Sequence, residues 1–167
     1  RTKTDTLESQ KVFLFGLKTK RWAYILEFAF GSSYFEDSYV DGEIIKAKLA
    51  FFPGVQKNRA ILKLKGIKPK TYTIPKASNN LKTLNEKYIK QNIQYPWVFE
   101  APFFLANANV VHKNNTFYLI DKLDYVVPLI NFTFSQYIHI LSISQGHFFD
   151  AFFLRTLNGY QLMSFIY

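Results

Sequence analysis

Hydrophobic and polar residues alternate with a period of two through the first third of the chain. Over residues 22–30 one set reads Trp22, Tyr24, Leu26, Phe28, Phe30 and the other Ala23, Ile25, Glu27, Ala29, the pattern of a half-buried strand with its bulk on one side. Residues 11–18 precede it across Thr19, Lys20 and Arg21, so the two segments read as a hairpin. A second pair covers 43–52 and 59–65, joined by a loop that opens with Pro53-Gly54. In its later strand Ala60, Leu62 and Leu64 are expected on one face and Arg59, Ile61, Lys63 and Lys65 on the other, one face buried and the other mostly cationic. Two prolines then bracket a short segment at 71–74.

After Lys76 the period changes. Leu81, Leu84 and Tyr88 fall at helical spacing, with Ile89 or Ile93 extending the stripe, and predict a helix over 80–94 that Pro96 ends. Thr83 and Glu86 offer a capping box that would start it later. From Trp97 onward the chain reads as strands again. Segments 108–112 and 116–121 flank Lys113-Asn114-Asn115, and 148–155 and 160–166 flank Asn158-Gly159, both turn signals. Residues 137–144 read as a further strand, and Pro128 assigns 125–130 to an edge or a bulge. The expected fold is mainly β: one or two small antiparallel barrels, or a sandwich, with one helix between the β segments. The expected divisions are an N-terminal β segment at 1–75, a helical connector at 76–96 and an aromatic-rich β segment at 97–167, or a single continuous domain.

The chain has 167 residues, 49% of them hydrophobic and 20% charged, with only 7 Gly and 6 Pro, a composition that excludes disorder and collagen. It has no Cys, which removes disulfides, thiolate zinc sites and a cysteine nucleophile. No apolar run approaches the roughly 20 residues of a membrane helix. Aromatic strands ending in Phe165-Ile166-Tyr167 would suit an outer-membrane barrel, but the basic middle region and the helix do not. A cytoplasmic protein with no membrane partner is expected. The polar opening from Arg1 to Gln10 reads as part of a longer protein.

Charge changes the picture more than composition does. Of 21 Lys and Arg against 12 Asp and Glu, ten cations lie between Lys57 and Lys90 with Glu86 alone against them, so the whole excess of +9 is in that stretch. A basic strand and its following loop are the electrostatic footprint of a surface that meets phosphates, and Arg59, Lys63, Lys65, Lys68 and Lys70 are the candidate nucleic-acid contacts. Phe52 and Tyr72 lie close enough in sequence to offer stacking faces. The competing reading is that these lysines keep an aromatic-rich domain soluble and blunt its strand edges. Residues 101–167 are the opposite case, with 15 aromatics and six charged side chains. They are expected to form a core, and otherwise an interface with another part of the parent protein or with a second copy.

Catalytic chemistry finds no support. His112, His139 and His147 have no second ligand at metal spacing, and His139 is expected half-buried on a strand. Glu36, Asp37, Asp41 and Glu43 lack the order of a calcium loop, and Ser32 and Ser33 have no base nearby. Asp121 and Asp124 flank a turn and are expected to shape it rather than carry protons. No cofactor, no metal and no enzymatic activity are expected.

The run Arg21-Trp22-Ala23-Tyr24-Ile25-Leu26-Glu27-Phe28-Ala29-Phe30-Gly31 is similar to a segment of large bacterial SWIM zinc finger proteins. The landmarks that follow resemble them too: Val40-Asp41-Gly42, Phe51-Phe52-Pro53, Arg59-Ala60-Ile61-Leu62, then Asn158-Gly159 and Leu162-Met163-Ser164 in a closing hairpin. That family is defined by a Cys-x-Cys and Cys-x-His zinc site, which a chain without Cys cannot contain. The resemblance therefore implies the region downstream of the finger, an accessory domain of a nucleic-acid- or protein-binding protein, and it carries no metal ligand over to this chain.

Overall fold

A computed structural model of the protein describes residues 2–4, 6–31, 34–35, 39–54, 58–66, 77–78 and 80–166. Among the described residues the fold is mainly β with antiparallel sheets, none of them closed into a barrel, and the chain divides into two compact units, Arg1–Pro75 and Lys76–Tyr167.

In the first unit β1 (Thr2–Thr4), β2 (Leu7–Phe15) and β3 (Trp22–Phe30) form a three-stranded sheet in that order. β2 and β3 pair from Leu7↔Phe30 to Phe15↔Trp22 without a break in register. Their connection runs from Gly16 to Arg21 and is closed by the Gly16 N–H on the Arg21 carbonyl at 2.9 Å. β4 (Lys46–Phe51) and β5 (Ala60–Gly66) form a separate two-stranded ribbon. A parallel bridge, Tyr24↔Arg59, joins the ribbon to β3, and the Tyr24 N–H donates to the Asn58 carbonyl at 2.8 Å.

The buried face of this unit is the small one. Ala23, Ile25 and Ala29 of β3, with Ala60 of β5 and Gln10 of β2, are buried, whereas the bulky set from Trp22 to Phe30 is half-buried or exposed. Small side chains let neighbouring backbone approach closely, and the polar groups that go inside are paired: Gln10 Nε2 donates to Glu27 Oε2 at 2.8 Å and the Tyr39 hydroxyl to Glu27 Oε1 at 3.1 Å.

The second unit is a five-stranded antiparallel sheet in the order β10-β9-β6-β7-β8, comprising β6 (Ala101–Lys113), β7 (Thr116–Ile120), β8 (Val126–Pro128), β9 (Phe149–Arg155) and β10 (Tyr160–Ile166). Pro128 lies on the edge strand β8, as expected of a residue without an N–H. Two helices, α1 (Leu81–Gln94) and α2 (Phe134–Ser144), contribute Leu81 and Ile140 to one core with Phe103, Leu105, Phe149, Phe153 and Tyr160. The C-terminal aromatics thus fill an interior: the Phe103 and Phe153 rings stack at 5.6 Å and Tyr160 meets Phe103 edge-on at 5.7 Å.

α1 begins where the period changes, with Asn80 as its N-cap and the Thr83 N–H on the Asn80 side chain at 2.9 Å. Ile89 and Ile93 lie off its packed face and are exposed. α2 is a second helix, over residues whose pattern reads as a strand. Its start is a capping box: the Gln136 N–H donates to Thr133 Oγ1, and Gln136 Oε1 accepts the Thr133 N–H at 2.8 Å. Its end is a left-handed Gln145 followed by Gly146. His139 accordingly lies on a helix and is exposed, its ring edge-on to Phe165 at 5.9 Å.

Asp121 ties helix to sheet. Its side chain is wholly buried and accepts three backbone N–H groups, from Leu81 at 2.7 Å and from Leu123 and Tyr125 at 2.9 Å each. One carboxylate thus satisfies an orphan donor at the positive end of α1 and closes the turn into β8. Asp121→Ala leaves those donors buried without an acceptor, and we expect a loss of about 3 kcal/mol or more and a thermal midpoint lower by roughly 10–20 °C. Circular dichroism melts of the two proteins check this. Gly159, at φ 152°, packs where an added Cβ would stand 2.7 Å from Ile130 Cγ2. Gly159→Ala is therefore expected to cost about 1–3 kcal/mol in a urea titration, whereas Gly54→Ala, in open space, serves as the near-neutral control.

Candidate nucleic-acid interface

The described candidate contacts do not all share one face. Lys68 and Lys70 lie outside the described residues, as do Lys57, Lys76, Tyr72, the segment 71–74, Ser32, Ser33, Glu36 and Asp37. Arg59, Lys63 and Lys65 are described and exposed. A register shift separates them. Leu62 pairs with Leu49 but Leu64 pairs with Lys48, so Lys63 falls opposite no residue of β4. Cross-strand partners share a face and neighbours along a strand do not, so the shift carries Leu64 to the face of Arg59 and turns Lys65 to the opposite one. The exposures agree, with Leu64 62% accessible. On its own side Lys65 reaches Glu43 at 4.0 Å and lies over the Tyr39 ring at 5.0 Å.

The same register brings in cations that the strand pattern alone does not single out. Lys46 and Lys48 share the outward face of β4 with Ala50, whose partner is Ile61. The Tyr24↔Arg59 bridge then sets that face beside the bulky face of the β2–β3 hairpin. The combined surface runs from Lys46, Lys48 and Arg59 on the ribbon to Tyr24, Phe13, Phe15, Trp22, Leu26, Phe28 and Phe30 on the sheet, with Lys11 among the rings.

Cations and rings are interleaved within it. Lys11 Nζ stands 4.6 Å from the Tyr24 ring centre and 5.2 Å from that of Phe13, and the Arg59 guanidinium lies 4.8 Å from the Phe52 ring centre. Phe52, a candidate stacking residue, pairs through its N–H with the Arg59 carbonyl at 3.0 Å. Phe15 and Trp22 meet edge to face at 5.0 Å. Phe28 is 56% and Phe30 69% exposed.

Near the C-terminus two charges, Asp150 and Arg155, hold structural positions. Asp150 Oδ1 accepts the N–H of Asn107, a residue at φ 54° where the pairing of β6 with β9 shifts register. Arg155 lies between the rings of Tyr88 at 4.9 Å and Tyr160 at 4.8 Å, donates from Nε to Asn85 Oδ1 at 3.4 Å, and donates from Nη1 to the carbonyls of Thr156 and Gly159. The Tyr160 hydroxyl donates to the same Asn85 oxygen at 3.0 Å. Among the described residues no group of three or more His, Asp or Glu is placed to hold a metal, and no helix is long and apolar enough to cross a membrane. No family model, curated protein or solved structure matches this chain.

Burial pushes the Tyr160 hydroxyl above the ordinary tyrosine value of 10.0; Arg155 opposes the rise, and Tyr125 and Tyr88 add to it. The folded state thus holds the proton more tightly than the unfolded chain. That stability is complete below about pH 10 and is lost as pH climbs from there through the raised folded-state value. Urea midpoints at about pH 8 and pH 11 are expected to fall more steeply for the wild type than for Tyr160→Phe, which has no proton to lose.

Proposed function

We propose that the chain is a non-catalytic accessory domain of a larger SWIM-like protein, and that its outward cationic face contacts the phosphate backbone of nucleic acid. The observation that carries this reading is the register of β4 against β5, which gathers Lys46, Lys48 and Arg59 on one exposed face. Lysine in place of arginine suits unspecific contact with phosphates rather than base reading, since an ammonium is a point charge and not a planar fork. The +9 concentrated between residues 57 and 90 adds long-range attraction for a polyanion.

Replacement of Lys46, Lys48 and Arg59 by Gln is expected to weaken oligonucleotide binding irrespective of sequence. It should also lower the slope of log K against log salt by roughly three, about one for each phosphate no longer neutralised. Lys65→Gln, on the other face, should leave the slope unchanged. Fluorescence anisotropy titrations at several salt concentrations measure both. Equal slopes for the triple variant and the wild type would remove these residues from the interface.

A further inference from the structure

We infer that the bulky face of the β2–β3 hairpin is a stacking platform for the bases of single-stranded nucleic acid, whose phosphates are held by the adjoining cations. This rests on the phosphate-contact reading and names the class of strand. The hairpin presents Phe13, Phe15, Trp22, Tyr24, Phe28 and Phe30 on one side, two of them more than half exposed, and buries its alanines on the other. A strand that turned its rings outward with no use for them would expose apolar area at a cost.

Charge selects the occupant. Lys11 sits among the rings and Arg59 beside Tyr24 across the bridge. An apolar protein surface laid on this face would bury charge at Arg59 and Lys11, whereas a phosphodiester chain sets its anions beside a face of net positive charge while its bases cover the rings. Spacing selects a single strand. Alternate residues along a strand stand about 6.6–6.8 Å apart, roughly twice the 3.4 Å rise of a duplex strand, so bases on successive rings must be splayed from one another. Bases inside a duplex are already stacked and offer no free face.

The test is an anisotropy titration of the full chain with three labelled probes of about 12 nucleotides: oligo(dT), an abasic deoxyribose-phosphate strand and a duplex. Oligo(dT) is expected to bind more tightly than the abasic strand by about 5- to 150-fold for each stacked base. Phe28→Ala/Phe30→Ala, at exposed positions, should erase much of that margin while the salt slope stays as in the wild type. Tyr24→Leu, tested separately, should narrow it as well. If the abasic strand binds as well as oligo(dT), or if the phenylalanine variant matches the wild type on oligo(dT), the stacking inference fails and the phosphate reading survives. If none of the probes binds at low salt, both fail. Self-association that disappears in the Phe28→Ala/Phe30→Ala variant, without oligonucleotide binding, would overturn the inference in favour of a protein-docking face.

Discussion

The buried carboxylate of Asp121 is the constraint on which the second unit depends. The first turn of a helix leaves backbone donors without acceptors, and a helix packed against a sheet must find partners for them inside the protein. Asp121, just beyond β7, supplies one to Leu81 and turns the chain toward β8 with the same side chain. Leu81 is thereby held in the core beside Leu105 and Phe153. Asp150 and Arg155, the remaining charges near the C-terminus, act similarly at irregular points of the sheet, one at the bulge near Asn107 and the other at the β9–β10 turn. In a segment so rich in aromatics, each of these charges is placed where backbone needs a partner that apolar side chains cannot give.

Strands were legible wherever period and turn chemistry agreed. Trp22 to Phe30 and Tyr160 to Ile166 have the bounds the alternation implies, and Lys113-Asn114-Asn115 turns with both asparagines at positive φ. The helix from Leu81 was legible for the complementary reason, since its apolar spacing follows Asn80, a residue suited to the cap. α2 was not legible from composition. Tyr137, Ile138, Ile140 and Ile143 favour strands by propensity, and that preference yields here to Thr133 and Gln136, whose reciprocal bonds fix the first turn. The Thr-Phe-Ser-Gln spacing was the local signal that could have decided it.

Faces were harder to read than elements. The alternation of residues 22–30 separates a bulky set from a small one, but does not state which set packs inward. Alanines at 23, 29 and 60 allow close approach, and Gln10, Glu27 and Tyr39 satisfy one another there, so the small face closes and the bulky face stays open. Lys11 is the sequence signal for this outcome. It pairs with Leu26 in the middle of the bulky face, and a lysine is almost never fully buried. The candidate cations illustrate a second limit. Simple alternation places Arg59 and Lys65 together, and one register shift at Lys63 parts them, because a period of two loses its phase at every bulge.

The two units therefore use their aromatics in opposite ways. Phe103, Phe149, Phe153 and Tyr160 are enclosed by strands and helices that leave them no open face. Trp22, Tyr24, Phe28 and Phe30 stand on a sheet whose opposite face has already been closed by alanines. Because the hairpin is stabilised from its small side, it holds its fold with the bulky side uncovered, and the apolar cost of those exposed rings is relieved by whatever covers them. The cations reinforce this division. On the open face Lys11, Lys48 and Arg59 keep a broad aromatic surface hydrated and disfavour its association with an apolar partner. In the proposed reading the same charges attract a flexible polyanion. Solubility and recognition would then draw on one set of residues, and the number of ions released on binding is the quantity that separates the two roles.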